Sequence, residues 1–173
     1  RKPVPVHKLY LSAILDLYDL SPVAWVVSRR NDNKLVLDTF AKAIRSNPDA
    51  KPIFHSDRGF QYTSKIFQDK LRKQGMTQSM SRVGHCIDNG PAENFWSIVK
   101  SEMYYLDTFT DEASLRNAIA DYMSFYSTDR IQERFKGKTP AEVRAEALAA
   151  DSPAQYPIPV NKRIQKYKAR YAA

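Results

Sequence analysis

The segment KLYLSAILDLYDLSPVAWVVS (Lys8–Ser28) contains two apolar runs that are separated by a turn sequence. The first run, Lys8–Tyr18, is rich in β-compatible residues and predicts a buried strand. Ser21-Pro22 marks a turn, and Val23–Ser28 predicts a second strand. Two such runs on either side of a turn favour an antiparallel hairpin, which is the first predicted unit of the fold.

Beyond the hairpin, helical and strand patterns alternate. Apolar residues recur at helical spacing over Leu35–Ile44, after the capping candidates Asn31 and Asp32, and Pro48 ends this predicted helix. The elements predicted after it are a strand at Lys51–His55, a helix at Ser64–Gln74 stopped by Gly75, a short strand at Met76–Met80, and helices at Pro91–Tyr104, from Thr110, and from Thr139 to near Ala150. This order predicts a mixed α/β domain of two or three layers, with room for one more strand before Lys8.

The composition changes near residue 150. We expect one domain over residues 1–150, followed over residues 151–173 by a linker with three prolines and a basic tail. The tail from Asn161 to Tyr171 holds five cations and no acid. It could follow a DNA backbone, or it could be a solvated end of the chain, and both readings stay open.

The composition also excludes several classes of protein. The net charge of +8 points to an anionic partner. No apolar run approaches the roughly 18 residues of a membrane-spanning helix, and the N-terminal residues do not resemble a signal peptide. Cys86 is the single cysteine, which excludes an internal disulfide framework and a multi-thiolate metal site. A cytoplasmic protein without a membrane partner is expected.

Asp57 and Glu93 are the candidate catalytic and metal-binding residues. Asp57 follows the predicted strand Lys51–His55, at the end where α/β sheets tend to place their sites. Glu93 lies in the first turn of the helix opened by Pro91. Two carboxylates held in this way could bind divalent ions for phosphoryl transfer, and Mg²⁺ suits oxygen ligands. The alternative is purely structural, since aspartate begins turns and glutamate complements a helix dipole.

Several cations surround this pair in the sequence. Lys100 lies two helical turns after Glu93, so it shares that helix face and could bind a DNA phosphate. Arg58 follows Asp57 directly, and Arg82 lies in the polar, glycine-bearing stretch Ser79–Gly90 that could close over a substrate. An ordinary solvated lysine and an ordinary surface loop are the alternatives.

Three further blocks carry a resemblance to a known family. They are HSDRGFQYTS (His55–Ser64), QSMSRVGHCIDNGPAENFWSIVKSE (Gln78–Glu102) and FYSTDRIQERFKGKTPAEV (Phe125–Val143). With the hairpin, they resemble bacterial insertion-sequence transposases that carry a retroviral-integrase-like (DDE) catalytic core. The 35 residues between Asp57 and Glu93 match the spacing of that family's second and third acids, and Lys100 falls on its basic position.

The resemblance implies a ribonuclease H-like fold and metal-dependent DNA strand transfer during DNA integration and recombination of a mobile element. Asp57 and Glu93 are then ligands of a two-metal site holding Mg²⁺ or Mn²⁺, and Lys100 is a contact to the terminal DNA. Arg130 lies in a signature block whose role is DNA contact or packing. The implied partners are transposon ends, target DNA and further copies of the chain, in a bacterial cytoplasm at the nucleoid.

One departure from the family concerns its first aspartate, which lies on an opening strand. Here RKPVPVH precedes Lys8, and it holds no acid. Asp16 is the nearest candidate, but it matches the second strand of the family. We therefore expect the first strand to be missing or truncated, metal binding to be weak, and catalysis to be absent or poor. The readings that remain are an enzyme core, an inactive DNA-binding remnant, and, with less support, a stand-alone nuclease.

Overall fold

The computed structural model describes residues 8–82, 89–157, 165–166 and 169–170. Most of the predicted loop between Ser79 and Gly90 and most of the basic tail lie outside these residues. The predicted hairpin is confirmed: β1 (Tyr10–Leu15) pairs antiparallel with β2 (Pro22–Ser28), and Tyr10 lies opposite Ser28.

Helix α1 (Asn33–Ser46) follows the hairpin and packs against it. Its N-cap is Asp32, one of the two predicted capping residues, whose side chain accepts a hydrogen bond of 3.0 Å from the amide of Leu35. This bond satisfies a backbone donor that a helix start otherwise leaves without a partner. Leu35, Val36 and Phe40 form the buried side of the helix.

The second pair of strands is parallel. β3 (Ile53–Ser56) pairs with β4 (Thr77–Met80), and the short helix α2 (Phe60–Thr63) and the helix α3 (Lys65–Lys73) connect them. The crossover is the kind of connection that parallel strands need. Gly75 has a φ of 67°, and glycine adopts this left-handed conformation easily, so the predicted stop of α3 is confirmed.

The C-terminal half is helical. It comprises α4 (Gly90–Val99), a π-helical turn (Lys100–Tyr104), α5 (Glu112–Thr128), a 3₁₀ turn (Glu133–Phe135) and α6 (Pro140–Ala149). The helix predicted to run to Tyr104 is thus α-helical only to Val99. The predicted start at Thr110 is also wrong by one residue, because Asp111 is the N-cap. The capping box of Thr139 and Glu142 is confirmed.

The hairpin lies between two apolar clusters, which gives three layers. Leu11, Ala13 and Leu15 pack on one side against the cluster formed by α4, α5 and the π-helical turn. Ile14 packs on the other side against the cluster formed by α1 and α3. This alternation follows from the two-residue period of a strand. The predicted mixed α/β class is therefore observed, with helices on both faces.

Among the described helices, none is both long and apolar enough to span a bilayer.

Candidate metal and DNA site

Asp57 lies at the carboxyl end of β3 and is exposed. One of its carboxylate oxygens, Oδ1, accepts a hydrogen bond of 2.8 Å from the amide of Gly59. A Cβ on residue 59 would lie 3.0 Å from this oxygen and 3.2 Å from Oε1 of Gln61. Glycine therefore lets the backbone approach the Asp57 carboxylate, and the turn fixes its direction.

Hydrogen bonds to residues in and just after β4 fix the position of the Asp57 turn. The imidazole of His55 lies 3.0 Å from the hydroxyl of Ser79 and 3.2 Å from that of Ser81. Arg58 donates from Nε to the carbonyl of Ser81 over 2.9 Å. The Arg58 guanidinium, predicted to contact DNA, thus also ties the Asp57 turn to the residue after β4.

Tyr62 lies behind the same turn. Its pKa is raised, chiefly by burial and then by the nearby negative charge of Asp57. Gln78 donates to the carbonyl of Tyr62 over 2.9 Å, and Gln61 donates to the side chain of Asn31 over 3.1 Å. Helix α2 is thereby joined both to β4 and to the start of α1.

Glu93 is exposed in the first turn of α4. Its neighbours Asn89, Pro91 and Ala92 line a cavity of about 1180 Å³, and Asp57 lines the same cavity. Neither the Glu93 carboxylate nor the second oxygen of the Asp57 carboxylate forms an ion pair or hydrogen bond within the described part of the chain. Both carboxylates are therefore available to a ligand.

The donor chemistry fits a hard divalent ion, since Mg²⁺ binds few carboxylates and keeps several waters. Asp57 and Glu93 are the residues that could hold it. Across residues 8–82 and 89–157, no three His, Cys, Asp or Glu side chains are grouped closely enough to form a metal site. The pair is thus short of the third carboxylate that the resemblance implies.

The cavity separates the two sheets. Within residues 8–82 and 89–157, β1 and β3 each pair with one strand, and they are not paired with each other. All residues of β1 and all residues of β3 line the cavity, and Ile53 is 71% exposed. Among the described residues, the edges of both strands that lack a partner therefore face a shared space.

Asp16 lies at the other end of β1 from Tyr10. Tyr10 pairs with Ser28, which precedes Asn31, and Asn31 is joined to the Asp57 turn through Gln61. Six residues of strand span roughly 17 Å at about 3.3 Å per step. Asp16 also accepts a hydrogen bond of 3.1 Å from Arg144. Asp16 therefore lies at the end of β1 away from this connection. It lines the same cavity as Asp57, but among the described residues Asp16, Asp57 and Glu93 do not form a group that could hold a metal ion.

The predicted DNA contacts occupy different environments. Lys100 is exposed, and its side chain forms no hydrogen bond, ion pair or ring contact with the described residues. Arg82 is exposed just beyond Ser81. Arg130 instead forms a two-pronged pair with Glu102, at 2.7 Å and 2.6 Å, which favours the packing alternative for this residue.

Sequence reasoning overlooked two groups of residues. One group is His55 with Ser79, its partner on the neighbouring strand, and Ser81, which directly follows that strand. The two-residue spacing of Ser79 in β4 and Ser81 just after it was a usable signal, because every second residue of an extended chain shares a face. Glu102 gave no local signal, since its partner Arg130 lies 28 residues away.

Comparison with known proteins identifies the family of the chain. The integrase core domain family matches residues 2–86, and a second integrase core domain family matches residues 93–148. The putative transposase InsK of insertion sequence element IS150 from Escherichia coli is 38% identical over 80% of the chain, which spans 49% of that protein. The transposase of insertion sequence element IS904 from Lactococcus lactis is 34% identical over 81% of the chain, which spans 56% of it.

Solved structures support the fold. The catalytic core domain of HTLV-2 integrase in complex with magnesium, in its dimeric form, superposes with a TM-score of 0.61 at 19% identity, over 80% of this chain and 86% of that one. A chain of the simian T-cell lymphotropic virus intasome in complex with PP2A regulatory subunit B56 gamma gives a TM-score of 0.67 at 20% identity, over 87% of this chain and 51% of that one. With the two family matches, these comparisons show that the chain belongs to the integrase core domain family, as found in bacterial insertion-sequence transposases.

Proposed function

We propose that this chain is the catalytic core of an insertion-sequence transposase, which cleaves and joins DNA during integration with the help of Mg²⁺ or Mn²⁺. The observation that carries the proposal is the position of Asp57 and Glu93. Both carboxylates are exposed near one cavity, and neither is neutralised by a cation of the described residues. Relatives named as transposases and a related integrase core in complex with magnesium support it.

The roles of the chain's residues follow from their positions. Asp57 and Glu93 would hold the metal ions, and the bound ions would activate an attacking oxygen and stabilise the leaving oxygen of a phosphodiester. Gly59 and His55 orient the Asp57 turn. Lys100, two turns after Glu93, would bind a phosphate of the terminal DNA.

Arg58 and Arg82 lie close to the Asp57 turn and are proposed as further phosphate contacts. The Nε of Arg58 already donates to the carbonyl of Ser81, so the other nitrogens of its guanidinium would contact DNA. We propose that residues 1–150 form the catalytic unit and that residues 151–173 form a linker and a DNA-binding tail. Because related cores are named as dimeric and trimeric forms and as an intasome, we also propose a homo-oligomer acting on chromosomal DNA in the bacterial cytoplasm.

The second candidate is a DNA-binding remnant without catalysis. The observation in its favour is that no third carboxylate joins Asp57 and Glu93 among the described residues. Such a chain would keep its basic surface and its exposed Lys100, and it would bind DNA with a strong dependence on salt. It would not cleave DNA under any metal condition.

The test is strand cleavage of a labelled duplex carrying an element end, with Mn²⁺ present. This chain is compared with a chain extended upstream by about thirty residues, enough for one more strand and its connections. Cleavage by the extended chain, lowered at least about a hundredfold in Asp57→Asn and in Glu93→Gln, is the expected result. Cleavage by neither chain, with DNA binding retained, supports the remnant instead.

A further inference from the structure

The π-helical turn (Lys100–Tyr104) depends on contacts with other elements for its stability. The amide of Tyr105 donates to the carbonyl of Lys100 over 2.9 Å, which closes a wider turn than an α-helix has. Such turns are rare in proteins, occur mostly as single turns within α-helices, and are frequent at functional sites. Contacts with other parts of the chain must therefore stabilise this one.

Glu102, in the middle of the turn, accepts three hydrogen bonds. Arg130 donates from Nε to Oε2 over 2.7 Å and from Nη2 to Oε1 over 2.6 Å. The hydroxyl of Tyr122 donates to Oε2 over 2.8 Å. A two-pronged guanidinium–carboxylate pair fixes orientation as well as distance. The hydrogen bonds from Arg130, followed by that from Tyr122, hold the pKa of Glu102 below its usual value.

Arg130 is itself held in place by α5. Its amide donates to the carbonyl of Phe125 over 2.8 Å, and its guanidinium lies 5.6 Å from the centre of the Tyr126 ring. Tyr126 belongs to the apolar cluster that joins α4 and α5, and so does Met103 of the π-helical turn. Arg130 is therefore a rigid support for Glu102.

We propose that Arg130 is a positioning residue that acts through Glu102 to keep Lys100 on the Glu93 face of α4, ready to contact a DNA phosphate. This inference rests on the proposed function, in which Lys100 contacts DNA. Lys100 and Glu102 share one five-residue turn, and Met103 anchors its inner side. Loss of the Glu102–Arg130 contact would loosen the exposed side of that turn, where Lys100 lies. A more mobile Lys100 side chain loses more conformational entropy when it binds DNA, so the affinity falls.

A purely electrostatic role for the Glu102–Arg130 pair predicts a different effect of substitutions on DNA affinity than the positioning role does. Glu102→Gln removes a negative charge about two residues from Lys100, so simple charge repulsion predicts tighter DNA binding. Positioning predicts weaker binding, because Arg130 loses its carboxylate partner. Arg130→Lys keeps the charge but loses the two-pronged geometry, so positioning again predicts weaker binding, whereas a mere charge effect predicts no change.

The experiment measures the affinity of the full chain for a generic 20-base-pair duplex over a range of salt concentrations. The variants are Lys100→Ala, Glu102→Gln, Arg130→Lys, and Lys100→Ala combined with each of the other two. Asp69→Asn is the matched control, since it breaks the exposed Asp69–Arg72 pair on α3 and changes the charge by the same amount as Glu102→Gln. Hydrogen exchange at the Tyr105 amide reports the π-helical turn directly.

We expect Lys100→Ala to weaken binding about fivefold and to reduce the salt slope by about 0.9, as for one lost phosphate contact. Glu102→Gln and Arg130→Lys should each weaken binding about threefold and speed exchange at Tyr105. In the background of either of these variants, Lys100→Ala should then weaken DNA binding by less than about twofold. Asp69→Asn should not weaken binding.

The outcomes separate this inference from the proposed function. If Lys100→Ala weakens binding by the same factor with and without Glu102→Gln, or if Glu102→Gln tightens binding, the positioning role is overturned while the Lys100 contact stands. If Lys100→Ala has no effect on affinity or slope, the proposed contact fails and the positioning role fails with it.

Discussion

The guanidinium of Arg144 on α6 donates to the carboxylate of Asp19 in the turn between β1 and β2, with 2.7 Å between Nε and Oδ2. Asp19 is only 1% exposed, and its other oxygen accepts a hydrogen bond of 2.8 Å from the amide of Ser21. Arg144 also donates to Asp16 and to the Ser21 hydroxyl. The last helix of the described domain is thus tied to the first hairpin by a buried charge.

Arg144→Met should destabilise the fold, because it leaves the buried Asp19 carboxylate without its cation. Breaking a buried pair from one side costs about 3 kcal/mol. Chemical unfolding followed by circular dichroism would measure the change. The control is Lys34→Met, which breaks the exposed pair with Asp38 and should leave the unfolding midpoint unchanged. Equal midpoints for Arg144→Met and the parent chain would show that the pair contributes nothing.

Gly59→Ala should impair metal binding while the stability of the fold changes little. The added Cβ would meet the far ends of two flexible side chains, Asp57 and Gln61, which can move at small cost. The Asp57 carboxylate would then lose its present direction. Manganese affinity of the upstream-extended chain should fall about tenfold, as expected when a ligand is disoriented.

Gly90→Ala is the matched control for that substitution, since nothing lies within 4 Å of the added Cβ. It should leave manganese affinity as it is. Unchanged affinity in Gly59→Ala would mean that the tight approach at Asp57 has no bearing on the metal site.

The stabilising effect of Glu102 should depend on pH. Its pKa is lowered in the folded chain from an ordinary value of 4.5, chiefly by Arg130. A carboxylate with a depressed pKa stabilises the fold above the unfolded-state pKa, and this contribution disappears as the pH falls through the lower folded-state pKa. The stability difference between the parent chain and Glu102→Gln should therefore be constant from about pH 7 to pH 5 and shrink below 4.5.

Solvent screens this pair, since the Glu102 side chain is 37% exposed, so the difference should stay below about 1 kcal/mol. Thermal unfolding at a series of pH values would measure it. A difference that persists undiminished at pH 3 would argue that packing, and not the charge of Glu102, causes the effect.

The cavity between the sheets predicts where an added strand binds. Amides of β1 and β3 that point into the cavity have no strand partner within the described residues, and should exchange rapidly in this chain. In the upstream-extended chain they should become protected at least about tenfold, whereas amides of the β1–β2 ladder should change little. Hydrogen exchange resolved by residue is the measurement. Unchanged protection in both strands would place the added segment elsewhere.

Much of the fold could be predicted from local patterns. The hairpin, α1 with its Asp32 cap, the stop of α3 at Gly75 and the capping box of α6 are all encoded by residues within a few positions of one another. These features depend on hydrogen bonds between residues close in the chain and on apolar periodicity, so they can be predicted from the sequence alone. The π-helical turn was not predictable, because an α-helix pattern continues through Lys100 to Tyr104.

In the candidate site, too, some features could be predicted from the sequence and others depend on the tertiary structure. The types and spacing of Asp57, Glu93 and Lys100 are sequence properties, and they led to the integrase-like core that the family matches support. Which cations remain available to DNA depends on contacts between distant residues: Arg130 is paired with Glu102, whereas Lys100 is exposed. The cavity between β1 and β3, which both Asp16 and Asp57 line, is also a tertiary feature. Side-chain type and local hydrogen bonding follow from the order of residues, but pairing between elements far apart in the chain depends on how the layers pack.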